Sequence, residues 1–589
     1  MKQEYKAGKR IFAVFTETQF DTFYIKEKSN KDGVEIYEIG CVLSGGYPQD
    51  VSIEWEEEMQ GICSVWTPTA NRNRGVWQWF KPTVNCSDIY DGAPIISVIQ
   101  GEKDNFATVA FSEAEIPVKT SFYVKDFQQQ DKVGFKIVLF ENDKRQINDF
   151  KAEIRIDKRT IPYYRAVADV SEWWKRFYPS KTYVPKGSEA PLYSTWYNFH
   201  QSPDQETLLK DLAIAAEMGF KTVILDDGWQ IDGVGTAYYD FCGDWAVAES
   251  KFPDFQAFVD GVHALGMKLM VWFPVPFVGY ETQDYKKFTG MYLYQYEEFR
   301  AGVVDPRYPA VRRYLVDTYE TMSRKYGLDG LKLDFIDSFM LKDETPAFNA
   351  GMDCVTLEES IVKLLEEIQT ALKGIREDFM IEFRQNYVGP SIVRYCNMLR
   401  VADCAFDSLT NRIGIADLRM PKYGVAVHSD MLLWGRAETP QNCALQLLDV
   451  MFSVPQISIL LQNSSDEQRK VLKNFVSYWT ANADVLLHGD FACDNVKYNY
   501  PMLSSEKDGK KIAVAYLPVT SVYCGENLDL FNATGKESLY VENPEKYEIT
   551  AKIYDCFGNE LFTQNLCGKF LRLEIPVAGF AALRKAVQE

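Results

Sequence analysis

Carboxylates close one apolar run after another in the middle of this chain. TVILDDGW ends its run on Asp226 and Asp227, GLKLDF on Asp334, MIEFRQNY on Glu382 and Arg384, and MLRVADC on Asp403. A buried carboxylate is expensive unless it is paired or hydrogen-bonded, and several converging on one rim raise one another's pKa. Hydrolysis of a glycosidic bond needs two such groups, one near the anomeric carbon and one protonated beside the leaving oxygen. Asp334 and Asp403 are the pair this sequence offers, expected about 5 to 5.5 Å apart if configuration is retained. In KLDFID the alternation of a strand puts Lys332 and Asp334 on one face and Leu331, Leu333 and Phe335 on the other. An ammonium beside Asp334 would keep it ionised, as a nucleophile must be; the same spacing equally fits a buried ion pair of purely structural use. Asp403, among apolar neighbours, is expected to carry the raised pKa of a general acid, with Asp407 or Glu382 as the next candidate.

Other chemistries have little support. The four histidines, His200, His263, His428 and His488, show no HExxH or paired-ligand spacing, and His263 sits inside the helical pattern VDGVHALG as a structural residue. GxSxG, GxGxxG and GxxxxGK[ST] are absent, against acyl hydrolysis, dinucleotide binding and a phosphate loop. Twelve cysteines scattered from Cys41 to Cys567 form no CxxC pair, so most are expected to be free, buried thiols. No metal or organic cofactor is implied. With 83 acidic against 64 basic side chains the net charge is -19, which disfavours nucleic acid and anionic membranes as partners and serves solubility. The expected partner is an oligosaccharide or glycoside. MKQEYKAGKR has no apolar signal region and no run of eighteen apolar residues occurs, so a soluble protein is expected, cytoplasmic if the sequence is complete and secreted or periplasmic if a signal segment has been removed from it. Oligomeric state leaves no trace.

The elements that must position these groups follow from rhythm. At 589 residues the chain is too long for one core. Residues 1–160 alternate as strands (IFAVFTETQF, ISVIQG, FKIVLF) and predict a β-sandwich, with Trp66, Trp77, Trp79 and Phe80 available for packing or for stacking on sugar rings. IPYYRAVADVSEWWKRF predicts a helical link over 161–190. Over 191–487 eight short apolar runs, LYSTWYNF, TVILDDGW, KLMVWFPVP, DGLKLDFID, MIEFRQNY, MLRVADC, YGVAVH and QISILL, alternate with amphipathic helices, three of which end on Gly. That pattern predicts a (β/α)8 TIM barrel, whose functional side chains gather at the C-terminal ends of the strands. Residues 488–589 return to strands and predict a small C-terminal β-sandwich domain.

Over residues 190–465 the ordered motifs resemble glycoside hydrolase clan D, the melibiase-type α-galactosidases. WYNF followed by LDDGW is similar to that family's first two strands, which implies Trp196, Asp226, Asp227 and Trp229 as sugar-binding residues. HALGMKLMVWFPVP resembles the third strand with Trp272 on the rim, and YGLDGLKLDF the nucleophile segment, implying Asp334 in that role with Lys332 beside it. VADCAFD resembles the acid/base segment and implies Asp403, while VAVHSDMLLW implies that His428 lines the site. Two departures stand out: Leu333 occupies the usual Trp position of the nucleophile motif, and EFRQNYVGP replaces the Cys- and Gly-rich fifth-strand loop that shapes recognition near the sugar's 2-position. Arg384 still resembles a sugar-binding Arg, and Glu382 fits either a substrate ligand or its ion-pair partner. The resemblance implies a retaining, exo-acting α-glycoside hydrolase. A transglycosidase of the raffinose-oligosaccharide type and a non-catalytic carbohydrate-binding protein are the alternatives, separated by product analysis with a sugar acceptor and by turnover itself.

Overall fold

A computed structural model describes residues 2–586 except 69–71, 78–79, 126–130, 142–148, 182 and 231–238; Trp79 therefore lies outside the described residues. The N-terminal part packs two six-stranded antiparallel sheets face to face. Alternation dictates the packing: in Arg10–Phe15, Phe12 and Val14 are buried while Ile11 and Phe15 face out, and Phe12 meets Trp55, which stacks on Phe135 across the sheet. Trp66 is not a sugar platform. It is fully buried and its Nε1 donates to Asp417 of the following domain at 2.8 Å; Trp77 and Phe80 are exposed.

The helix Tyr163–Trp174 joins sandwich to barrel, with Trp174 Nε1 donating to the Phe111 carbonyl and Tyr163 Oη to that of Cys493. Eight parallel strands follow: β1 (Leu192–Ser194), β2 (Thr222–Leu225), β3 (Lys268–Pro274), β4 (Gly330–Asp334), β5 (Met380–Arg384), β6 (Met398–Arg400), β7 (Ala426–His428) and β8 (Gln456–Ile457). They lie side by side in chain order, β8 returns beside β1, and the bridges His428–Val454 and Leu432–Ile457 draw the remaining gap together. The surrounding helices start and stop where local chemistry says they should. Gln205–Met218 begins on Asp204, whose carboxylate accepts from Thr207 N, and ends at left-handed Gly219; Pro309–Tyr326 ends at left-handed Gly327.

Inside the barrel Leu192, Ile224, Met270, Met380 and Met398 form an apolar plug below the site. Gly330 is obligatory there, since a Cβ would lie 2.6 Å from the Met380 carbonyl oxygen. An antiparallel insert that the sequence reading did not foresee, Phe277–Gly279, Tyr292–Tyr296 and Ala301–Val304, follows β3. Its Phe277 and neighbouring Phe299 pack with Tyr239 around Phe335, the residue after Asp334. The chain ends in a seven-stranded and a three-stranded sheet, clamped to helix Asp466–Ala481 through Tyr478, Phe531 and Phe580. None of the twelve cysteines is joined in a disulfide, and no described helix is long and apolar enough to cross a membrane.

Candidate active site

Above the methionine plug the barrel interior turns polar, because successive inward positions on neighbouring strands carry Trp272, Lys332, Glu382, Arg400, His428 and Gln456. Each charge there must find a partner or be neutralised.

Asp334, the last residue of β4, is buried and ringed by donors. Arg384 Nε donates to its Oδ1 at 2.6 Å and the Phe335 amide to the same atom at 2.8 Å, while Trp272 Nε1 donates to Oδ2 at 3.0 Å and Lys332 Nζ stands 3.5 Å from it. Burial alone would raise its pKa, but Arg384, Lys332 and Arg400 outweigh burial and hold the carboxyl well below the usual range. It is a carboxylate at every physiological pH. Arg384 is fixed in turn by Asp337, at 3.0 and 3.2 Å, and lies over the rings of Phe335 and Tyr387. Its partner is thus the nucleophile candidate and Asp337, not Glu382.

Lys332 donates to Asp226 Oδ2 at 2.7 Å, so the ammonium ties β4 to β2. Asp226 is anchored further by its own amide on Thr195 Oγ1 and by accepting the Asp227 amide. Asp227 accepts from Gln201 and Gln230 at 2.8 and 2.9 Å, and burial pushes it up to about 6 despite those donors. The turn that follows needs Gly228, at φ 108°, where a Cβ would sit 2.5 Å from Gln201 Cα.

Asp403 stands on the rim with its side chain 57% exposed, bound by Arg400 Nη2 at 2.7 Å. The raised pKa expected from its apolar neighbours in sequence is corrected here: burial works upward, but Arg400 and Lys332 prevail over it and lower the carboxyl. The cause is a residue that sequence reading passed over, at the end of β6 in register with Arg384 and His428. Arg400 also donates to Asp430, which accepts from Tyr197 Oη and from the Cys404 amide. Asp430 and Tyr197 were not among the expected site residues either, although VHSD carries one of them two residues past β7.

Three expected sugar ligands sit behind the wall. Trp229 is fully buried, its Nε1 spent on the Trp272 carbonyl and its ring stacked against Trp245 and Phe255. His428 is fully buried; its Nε2–H must donate to the Ser188 carbonyl at 2.7 Å, its Nδ1 accepts from Gln456, and burial lowers it to about 4, so it is neutral. Glu382 is fully buried, accepts from Gln456 Nε2 at 2.7 Å, and is pushed by burial up to about 7. Trp196, half-buried after β1 with its ring edge-on to His200, and Arg384 remain on the accessible side.

The Melibiase family model matches residues 167–338, which carry Asp226, Asp227, Trp272, Lys332 and Asp334. A curated relative, the Lactobacillus acidophilus alpha-galactosidase Mel36A, is 32% identical over 95 residues, a stretch covering 16% of this chain and 12% of that protein. Among solved structures, a GH36 alpha-galactosidase AgaA variant from Geobacillus stearothermophilus superposes with a TM-score of 0.64 at 12% identity, over 99% of this chain and 91% of that one. The Lactobacillus brevis alpha-galactosidase gives 0.65 at 12% identity over 98% and 82%. A GH31 sulfoquinovosidase from E. rectale gives 0.62 at 12% identity over 98% and 88%, so this fold by itself does not select the sugar. Sandwich, barrel and terminal sheets together form an architecture that this chain shares with these three solved structures. Within that architecture, residues 167–338 resemble the Melibiase family.

Proposed function

We propose that the protein is a retaining, exo-acting α-glycoside hydrolase acting on a terminal α-linked galactose or a sugar of related hydroxyl pattern. The observation that carries this reading is a pair of carboxylates in unlike settings: buried Asp334, locked in its ionised form by Arg384 and Lys332, and exposed Asp403 on the rim, within the electrostatic reach of both Lys332 and Asp334. Asp334 attacks the anomeric carbon and Asp403 protonates the leaving oxygen. Asp403 then takes a proton from water, whose oxygen bonds to the anomeric carbon as the bond to Asp334 breaks and its carboxylate is restored. Trp272 holds Asp334 Oδ2, so the attacking oxygen is fixed before substrate arrives. Asp226 and Trp196 supply an acceptor and an aromatic face for the sugar. Because Asp403 rests as the anion, it needs a substrate that covers its exposed side and removes water, which raises a carboxyl pKa.

A panel of nitrophenyl α- and β-glycosides, with the anomer of the first-formed product read by NMR, tests the reading. Hydrolysis of the α-galactoside with retention is expected; hydrolysis of β-glycosides alone, or an inverted product, refutes it. Asp334→Gly should abolish turnover, and azide should restore part of it on activated substrates, giving a product of inverted configuration.

A further inference from the structure

The guanidinium of Arg400 is shared by three carboxylates, and one of the three contacts is left open. Nη2 is bonded to Asp403 and Nη1 to Asp430, whereas Nε lies 3.7 Å from Glu382 Oε1. Both atoms of that third contact are buried and neither has another hydrogen-bond partner. A buried, unsatisfied donor facing a buried, unsatisfied acceptor is costly on both sides, and a small movement of the guanidinium toward β5 would close it. The same movement loosens Nη2 from Asp403.

We infer that Glu382 is a positioning residue for the acid/base step, competing from below with Asp403 for Arg400, so that its charge sets how firmly Asp403 is held as the anion. The inference rests on the reading of Asp403 as acid/base. Glu382 is enclosed by Lys332 and Asp226 from β4 and β2, Arg400 from β6, neutral His428 from β7 and Gln456 from β8, with Asp430 beyond Arg400. Lys332 is already neutralised by Asp226 and Asp334, which leaves Arg400 as the cation that answers a change at Glu382. When Glu382 carries a proton, Arg400 leans on Asp403 and Asp430. When Glu382 is ionised, it draws the guanidinium down, and Asp403 holds a proton more readily. Since burial places Glu382 near 7, the device extends proton donation into the neutral-to-alkaline range, where a lone Asp403 beside Arg400 would have lost its proton.

The test is the pH dependence of kcat for an α-galactoside with a sugar leaving group, which reports ionisations in the bound complex. Wild type and Glu382→Gln should coincide below neutrality. Above it the falling limb of the variant should lie about one pH unit lower, a roughly tenfold loss on that side, as expected for a charge acting through one intermediary. The first step on a dinitrophenyl substrate should change little, and Glu382→Asp should restore the wild-type limb. An unmoved limb, or an equal loss at all pH values with both leaving groups, overturns the inference and leaves Glu382 a packing residue. Should Glu382→Gln fail to fold, carboxyl 13C NMR of the labelled wild-type protein reads the same coupling: the Asp403 resonance is expected to show a second inflection where Glu382 titrates, and a single smooth titration overturns the inference. A wild-type protein inactive on every α-glycoside would refute the proposed function alone, because the NMR titration judges the Glu382–Arg400–Asp403 coupling without turnover.

Discussion

On the proposed assignment, Asp403 matters in proportion to how much the leaving group needs a proton. With a sugar leaving group the alkoxide needs a proton, and Asp403→Ala should cost ~10²- to 10⁴-fold in the first step. A dinitrophenolate leaves unaided, so the same variant should form its glycosyl enzyme at near normal rate and then stall, giving a burst followed by slow turnover in stopped-flow traces. Equal losses on both substrates would mean that another group donates the proton. Asp407 is poorly placed to be that group, since its carboxylate caps the helix Ser408–Arg419 and is bound by Arg72. Asp226→Ala acts differently: it removes the acceptor that orients Lys332, leaving a buried ammonium with Asp334 as its remaining close carboxylate. A loss of both sugar affinity and kcat is expected from steady-state kinetics on several sugars, and full activity on each of them would refute its role. At this scale the strand-end rule made Asp226, Asp334 and Asp403 legible, because a carboxylate closing an apolar run has few structural uses. Which of them is paired with what was not legible. Arg400 and Asp430 face inward through register between strands distant in sequence, and the burial of Glu382 and His428 depends on layers that no single strand reveals.

The strands act as pegs and the segments behind them as bracing. Trp229 shows the difference: its residue type and its place in DDGW suggested a sugar ligand, yet the chain turns at Gly228 and drives the indole outward between barrel and helices, against Trp245, Phe255 and Phe273. Through its bond to the Trp272 carbonyl it supports the residue that holds Asp334 Oδ2. Trp229→Ala should therefore cost about 3–5 kcal/mol by thermal or chemical unfolding, the range for a large buried ring. In the fraction that folds, kcat should fall more than KM rises. A stable variant with a purely elevated KM would restore the sugar-ligand reading. The amphipathic helices and three of their glycine ends were legible in the sequence because apolar spacing and terminal glycines agree. The insert after β3 was not, since runs such as YLYQY are short and their pairing partners lie across a turn rather than in a repeated rhythm.

At the scale of the whole molecule the N-terminal sandwich reaches into the barrel at the helix that follows Asp403. Trp66 and Arg74 both bond to buried Asp417 in helix Ser408–Arg419, and Arg72 binds Asp407 and Thr410 at that helix's first turn. The Gly92 amide donates to the Asn386 carbonyl, just past β5. Arg74→Ala leaves Asp417 buried with only neutral donors, and breaking a buried pair from one side costs about 3–5 kcal/mol. Arg72→Ala breaks a pair whose partners are each nearly half exposed, so its effect on stability should be small; its effect should fall on the proposed acid/base step, as a lower kcat on sugar leaving groups with the glycosyl-enzyme burst on a dinitrophenyl substrate preserved.

That same junction bears on ancestry and recombination. A segment that merely sits beside a catalytic domain can be exchanged for another over generations, but one that supplies the bracing for the rim helix cannot be replaced without its three contact residues. Trp66, Arg72 and Arg74 on one side and Asp407, Thr410 and Asp417 on the other are therefore expected to be inherited as a set. A chimera that joins this barrel to a foreign sandwich should become active only when the donor carries, or is given, the matching Trp and Arg side chains.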